Sequence, residues 1–178
     1  MNAANIMNSE LAQTMRERMP IAEEFAYFDH AAVAPLSGRA ANAMATWLQQ
    51  AAEQGDALWP QWASEVENTR NLAAELLGTS SQQIALVPNT SMGINIVAHG
   101  FPWNSRDNIV TLSNEFPANQ YPWMNLRDQG VEVRVVEVKD VAVDIQQILD
   151  TCDDRTRLIT VSWVSFCTGY RMQLEELI

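Results

Sequence analysis

Lysine is almost absent from this chain: Lys139 is the one lysine in 178 residues, and Lys and Arg together number 11 against 22 Asp and Glu. The net charge of −11 comes from acids scattered among bases rather than from an acidic tail. That balance excludes the basic footprint of a nucleic-acid binder and the polybasic patch of a membrane-surface protein. Cysteine is nearly as scarce, with only Cys152 and Cys167. Two isolated thiols cannot build a disulfide framework, and no Cys/His grouping has zinc-ligand spacing, so free thiols and no metal are expected. No apolar run reaches the roughly 20 residues of a membrane span. Met1 to Pro20 mixes acids, bases and amides where a signal peptide needs an apolar core. The expected compartment is the cytoplasm.

What is present is enough apolar material, 47% of residues, for one core of ordinary size or a large piece of a bigger one. Residues 1–24 read as a helical arm, with Asn2 to Met19 a polar helix before Pro20. Phe25 to Phe28 then forms a short aromatic strand or an extended entry segment. Ser37 suits the N-cap of a helix carrying Ala40, Ala43, Met44, Trp47 and Leu48 at helical spacing, interrupted at Gly55. A second helix runs from Trp59 and stops at Gly78, as a C-terminal glycine does.

Strands and helices then alternate: Ile84 to Val87, a helix from Ser91 to Gly100, a strand from Asn108 to Leu112, and a helix around Ala118 to Asp128. Strand Val131 to Val138, helix Ile145 to Thr151 and strand Thr156 to Trp163 follow. Such alternation implies βαβ units and an α/β fold, a mostly parallel sheet between two layers of helices, whose ligands lie near the C-terminal ends of the strands. Met172 to Ile178 begins an amphipathic helix of about two turns. The expected organisation is therefore 1–24 as arm and 25–178 as part of a larger domain, an N-terminal fragment or half of an assembly.

Three segments fall at predicted strand ends. In Pro88-Asn89-Thr90-Ser91-Met92-Gly93 two adjacent hydroxyls open a helix. Free backbone N–H groups there suit a phosphate, and the same residues serve equally as a plain helix cap. Asn114-Glu115-Phe116-Pro117-Ala118-Asn119, with Trp123 beyond it, places an aromatic ring where it can stack on a flat ligand. Ser162 to Arg171 follows the last predicted strand.

Taken in order, Tyr27-Phe28-Asp29-His30-Ala31-Ala32, the Asn89-Thr90-Ser91 turn, Glu115 to Asn119 with Trp123, and Ser162 to Gly169 resemble the class V aminotransferase family. These are pyridoxal 5′-phosphate (PLP) enzymes that include cysteine desulfurases, selenocysteine lyases and isopenicillin N epimerase-like proteins. The resemblance covers nearly all of Phe25 to Ile178 and implies the three-layer α/β/α large domain of fold type I, incomplete at its C-terminus. It implies that Thr90 and Ser91 hold the cofactor phosphate, with Asn89 shaping the turn. Phe116 falls where desulfurases usually place a stacking His, so stacking is kept and an imidazole acid/base is not. Phe166 falls where many relatives have an Asn that reaches the cofactor, a contact that Ser165 or a backbone group would replace. His30 and Ala31 match a loop on the substrate side, and Trp123 reads as core.

The cofactor's chemistry also needs a lysine to carry it and an acid against its ring nitrogen. Lys139, beside Asp140 at the end of a charged strand, reads as a surface residue, so no catalytic residue is assigned. The resemblance implies a full-length parent, a homodimer acting on an amino acid as a desulfurase, lyase, epimerase or aminotransferase. The alternative is a catalytically inactive binding or assembly module that keeps half of the fold.

Overall fold

The computed structural model describes residues 10–177, and the chain divides into two compact units, Met1–Ala85 and Leu86–Ile178. In the first unit α1 (Glu10–Glu17) leads to a single 3-10 turn, Pro20–Glu23. Then come α2 (Gly38–Gln54) and α3 (Trp59–Leu77). Ser37 caps α2 by accepting a hydrogen bond from the Ala40 N–H at 3.2 Å. The left-handed Gly78 (φ 67°, ψ 34°) closes α3, its N–H turned back to the Ala74 and Glu75 carbonyls. The two helices meet through Trp47 and Trp62, whose ring centroids are 5.8 Å apart, while Trp62 Nε1 donates to Gln50 Oε1 at 3.1 Å.

The second unit carries the sheet. Its elements are α4 (Thr90–Gly100), β1 (Asn108–Leu112), the short α5 (Tyr121–Met124), β2 (Glu132–Val136), α6 (Ile145–Thr151) and β3 (Thr156–Ile159). The strands lie in the order β2-β1-β3, with β1 parallel to both neighbours. Every residue of β1 is buried, because a central parallel strand covered on both faces has no solvent side. Successive side chains point to opposite faces. Val110 and Leu112 join Val136, Val143, Ile145, Ile148 and Met172 on one face, the layer of α6. Ile109 packs on the other with Ala98 of α4, Trp123 of α5, Leu126 and Val131. The second unit is thus helix, sheet, helix.

The starts of the three strands are tied by polar contacts. Buried Asn108 donates to Asp153 Oδ1 at 2.7 Å and accepts from Thr156 Oγ1 at 2.7 Å. Arg134 bridges Glu132 at 3.0 Å and Asp153 at 2.9 Å. The Arg155 backbone N–H, then the Asn108 amide and the two guanidinium groups, hold the Asp153 carboxyl far below the usual carboxylate range. The Arg134 hydrogen bond likewise lowers Glu132, and Glu132 and Asp153 raise Arg134.

Three sequence expectations change. Ile84 to Val87 forms no strand: among the described residues no neighbour pairs with it, and Leu86 and Val87 are exposed. Phe25 to Phe28 forms no strand, which leaves the entry segment, the other form expected of it, with Phe28 91% exposed. The helix expected over 118–128 is three short pieces, a 3-10 turn at Pro117–Asn119, α5, and a 3-10 stretch at Asn125–Gln129. Pro117 and Pro122 lack N–H donors and fit only in first turns, so each starts a new piece. Near the end the amphipathic segment shows a single 3-10 turn, Leu174–Glu176, and Ile178 lies outside the described residues. The arm expected over 1–24 is α1 and the Pro20–Glu23 turn where described; residues 1–9 also lie outside.

Candidate functional site

Because β1 and β3 are parallel, the loops that follow them emerge at one edge of the sheet, and the N-terminus of α4 comes to that edge as well. Asn89, extended at φ −164° and ψ 167°, accepts the Met92 N–H on its side-chain oxygen at 2.9 Å. Its backbone oxygen accepts from the Gly93 N–H at 3.2 Å. Asn89 is therefore the helix cap. The cap uses neither the hydroxyls nor the N–H groups of Thr90 and Ser91, which make no hydrogen bond among the described residues. Those four exposed donors stand at the positive end of an 11-residue helix, where the backbone dipole favours negative charge. The sequence left cap and anion site as competing uses of one turn; Asn89 takes the first, and the donors of Thr90 and Ser91 stay unused among the described residues.

Ser91 and Phe116 line one open cavity of about 270 Å³, together with Asn95, Pro117, Tyr121 and Asn125 among others. Asn95 sits one turn after Ser91 and donates to its carbonyl at 2.8 Å. Phe116 is half exposed and stands edge-on to Phe166, centroids 5.1 Å apart and planes at 84°. Phe166 belongs to a hairpin closed by the Val164 and Arg171 bridge and turned at Gly169 (φ 70°).

Ser165 lies in the same hairpin, its N–H on the Tyr170 carbonyl and its carbonyl on the Gly169 N–H, both at 2.9 Å. Its hydroxyl is 3.3 Å from the Cys167 sulfur, and it lines a small recess with Glu115 and Ser162 rather than the Ser91 cavity. His30 and Ala31 belong to the first unit, on an exposed turn where the His30 ring meets Tyr27 edge-on at 5.1 Å. Lys139 is exposed in the loop after β2.

The sequence reading passed over the residues that hold this edge together. Glu115 is 5% exposed, yet among the described residues no cation pairs with it. Its carboxylate accepts from the Ser162 N–H and hydroxyl, each at 2.6 Å, and from the Asn119 amide at 3.0 Å. Asn119 in turn accepts from Thr160 Oγ1 at 2.6 Å and from Trp123 Nε1 at 3.0 Å. Trp123 is core, as expected, with its one polar atom satisfied. The available signal was a lone acid wedged between an amide and an aromatic at a strand end.

The family model for aminotransferase class V matches residues 26–178. The chain belongs to the class V aminotransferase family. A probable cysteine desulfurase of Methanothermobacter thermautotrophicus is 30% identical over 170 residues, 93% of this chain and 42% of that protein. A cysteine desulfurase of Salmonella newport is 30% identical over 165 residues, 86% and 40% of the two chains. Among solved structures, a C-DES mutant with glycine covalently linked to its PLP cofactor superimposes with a TM-score of 0.82 at 22% identity, over 91% of this chain and 44% of that one. The apo cysteine desulfurase of Thermococcus onnurineus gives 0.78 at 24% identity, over 93% and 43%. The class V chain described here spans less than half the length of the relatives it matches. The solved structures agree with the α/β fold read from its strand and helix alternation.

Proposed function

We propose that this chain is the cofactor-phosphate-binding part of a PLP-dependent enzyme that acts on an amino acid, of the desulfurase or lyase, epimerase or aminotransferase kind. One observation carries the reading: Ser91, at a helix N-terminus with unused donors, and Phe116, a half-exposed ring, line the same cavity. A phosphate on a flat aromatic ring asks for those two things together. The family membership and the PLP-bound relative support the same group.

In this reading the N–H and hydroxyl groups of Thr90 and Ser91 donate to phosphate oxygens, and the α4 dipole favours the charge. Asn89 keeps the first turn wound so that those donors converge. Phe116 would stack on the flat ring of the cofactor, and the Phe166 ring, edge-on to it, would limit its rotation. Residue 116 carries no ionisable atom, so it orients the ring and moves no proton. Ser165, or a backbone group of its hairpin, would supply the polar contact to the cofactor that Phe166 cannot make, and His30 and Ala31 would serve the substrate. When bound, PLP supplies an electron sink for charge developing on the amino acid. Residues 1–24 are the arm and 25–178 the first part of the cofactor domain of a cytoplasmic homodimer.

Titrating the chain with PLP and with pyridoxal, which lacks the phosphate, tests this. PLP is expected to bind at least about tenfold more tightly, since a hydrogen bond to a charged group contributes about 1.5–3 kcal/mol net of competition from water. The Thr90→Ala/Ser91→Ala variant is expected to shrink that preference sharply. Equal binding of the two compounds by the unaltered chain would overturn the reading.

A further inference from the structure

We propose that Glu115 is the positioning residue for the aromatic pair: its buried carboxylate clamps the loop after β1 to the loop after β3 and so fixes the face that Phe116 turns to the cavity. The proposal rests on the cofactor reading above. Its starting point is where the backbone ladder stops. β1 and β3 exchange hydrogen bonds up to the Thr160 N–H, which reaches the Val110 carbonyl at 2.9 Å. Two residues on, the Ser162 N–H takes the Glu115 carboxylate instead, so a side chain continues the pairing where the strands have parted.

Phe116 is adjacent to this clamp and is held from both sides. Its carbonyl accepts from the Asn119 N–H at 2.8 Å, while Asn119 Nδ2 donates to the Glu115 carboxylate. The Glu115 carbonyl accepts from Gln120 Nε2 at 2.9 Å. Phe166 approaches from the hairpin that starts just after Ser162. The separation of the two rings is thus set by a carboxylate that accepts from an N–H, a hydroxyl and an amide.

Both oxygens of that carboxylate accept, one from the Ser162 N–H and the other from the Ser162 hydroxyl and the Asn119 amide. Glu115→Gln keeps the shape but turns an NH2 toward one of those donors, so one bond becomes a repulsion. The ring pair then loses its fixed spacing, while the Thr90 and Ser91 donors on α4 are untouched.

Two readouts test the clamp on the full chain. Labelling the phenylalanines with 4-fluorophenylalanine, and assigning residue 116 with Phe116→Leu, gives a ¹⁹F signal displaced by the Phe166 ring in the unliganded protein. In Glu115→Gln that signal is expected to move toward its position in Phe166→Leu. The Kd for PLP is expected to rise roughly threefold to tenfold, the value of one aromatic contact, while the Kd for inorganic phosphate stays within about twofold.

A merely structural role would weaken PLP and phosphate together, and that result, or an unmoved ¹⁹F signal, would overturn the proposal. If Glu115→Gln does not fold, Ser162→Ala, which removes a single donor and keeps the carboxylate, is read on the same two scales. Should the unaltered chain show no preference for PLP over pyridoxal, the cofactor reading fails, and the ¹⁹F signal still decides whether Glu115 sets the ring pair.

Discussion

Thr111 sits in the middle of β1 with its hydroxyl buried and unpartnered among the described residues. An unsatisfied hydroxyl costs about 1–3 kcal/mol. Thr111→Val is therefore expected to stabilise the chain by about 1 kcal/mol, read as a higher midpoint in urea; a lower midpoint would show that the hydroxyl has a partner after all. Asn89→Ala removes the cap of α4 and is expected to cost about 1 kcal/mol. Asp153 gives a pH dependence with a definite sign. Its folded pKa lies below the unfolded one, so its contribution is complete above the unfolded value of about 3.9 and fades as pH falls toward the folded value. Urea midpoints should hold down to about pH 5 and drop below about pH 4, and Asp153→Asn should flatten that drop. Residues with local partners were legible in sequence: Ser37 is bound to Ala40, three positions on. Glu115 was not, because Ser162 lies 47 residues away.

Elements were legible where one face or both met the core in a regular period. β1 and α6 have the predicted bounds, Asn108–Leu112 and Ile145–Thr151, since the β-branched Ile109, Val110 and Thr111 favour a strand and Asp144 caps the helix. Ile148 of α6 is fully buried against Val110, Leu112 and Val136. Ile148→Ala is expected to cost about 2–5 kcal/mol in urea unfolding, with loss of less than about 1 kcal/mol counting against this packing. Gly130 ends the turn before β2 at φ 81°, and a Cβ there would stand 3.2 Å from the Ser105 Cβ. Strands and helices failed to be legible where a partner or a proline decided the outcome. Ile84 to Val87 has strand composition but no pairing neighbour, and the 118–128 segment has helix composition broken by its prolines.

At the scale of the whole molecule, the apolar core is unevenly shared. Among the described residues both buried clusters lie wholly within Leu86–Ile178, whereas Ala74 is the one buried hydrophobic residue of Met1–Ala85. Amide hydrogen exchange should accordingly be slowest in β1 and faster through α2 and α3; the reverse order would contradict this distribution of the core. The candidate site draws on the second unit for Asn89, Thr90, Ser91, Phe116 and Ser165, and the family match spans residues 26–178. The most direct test of the central claim is an NMR titration of the ¹⁵N-labelled chain with PLP. The account predicts that the Thr90 and Ser91 amide signals shift most, that inorganic phosphate shifts the same two, and that PLP alone also shifts the Phe116 amide. Still signals at Thr90 and Ser91, with the largest shifts around Lys139 or elsewhere, would contradict it.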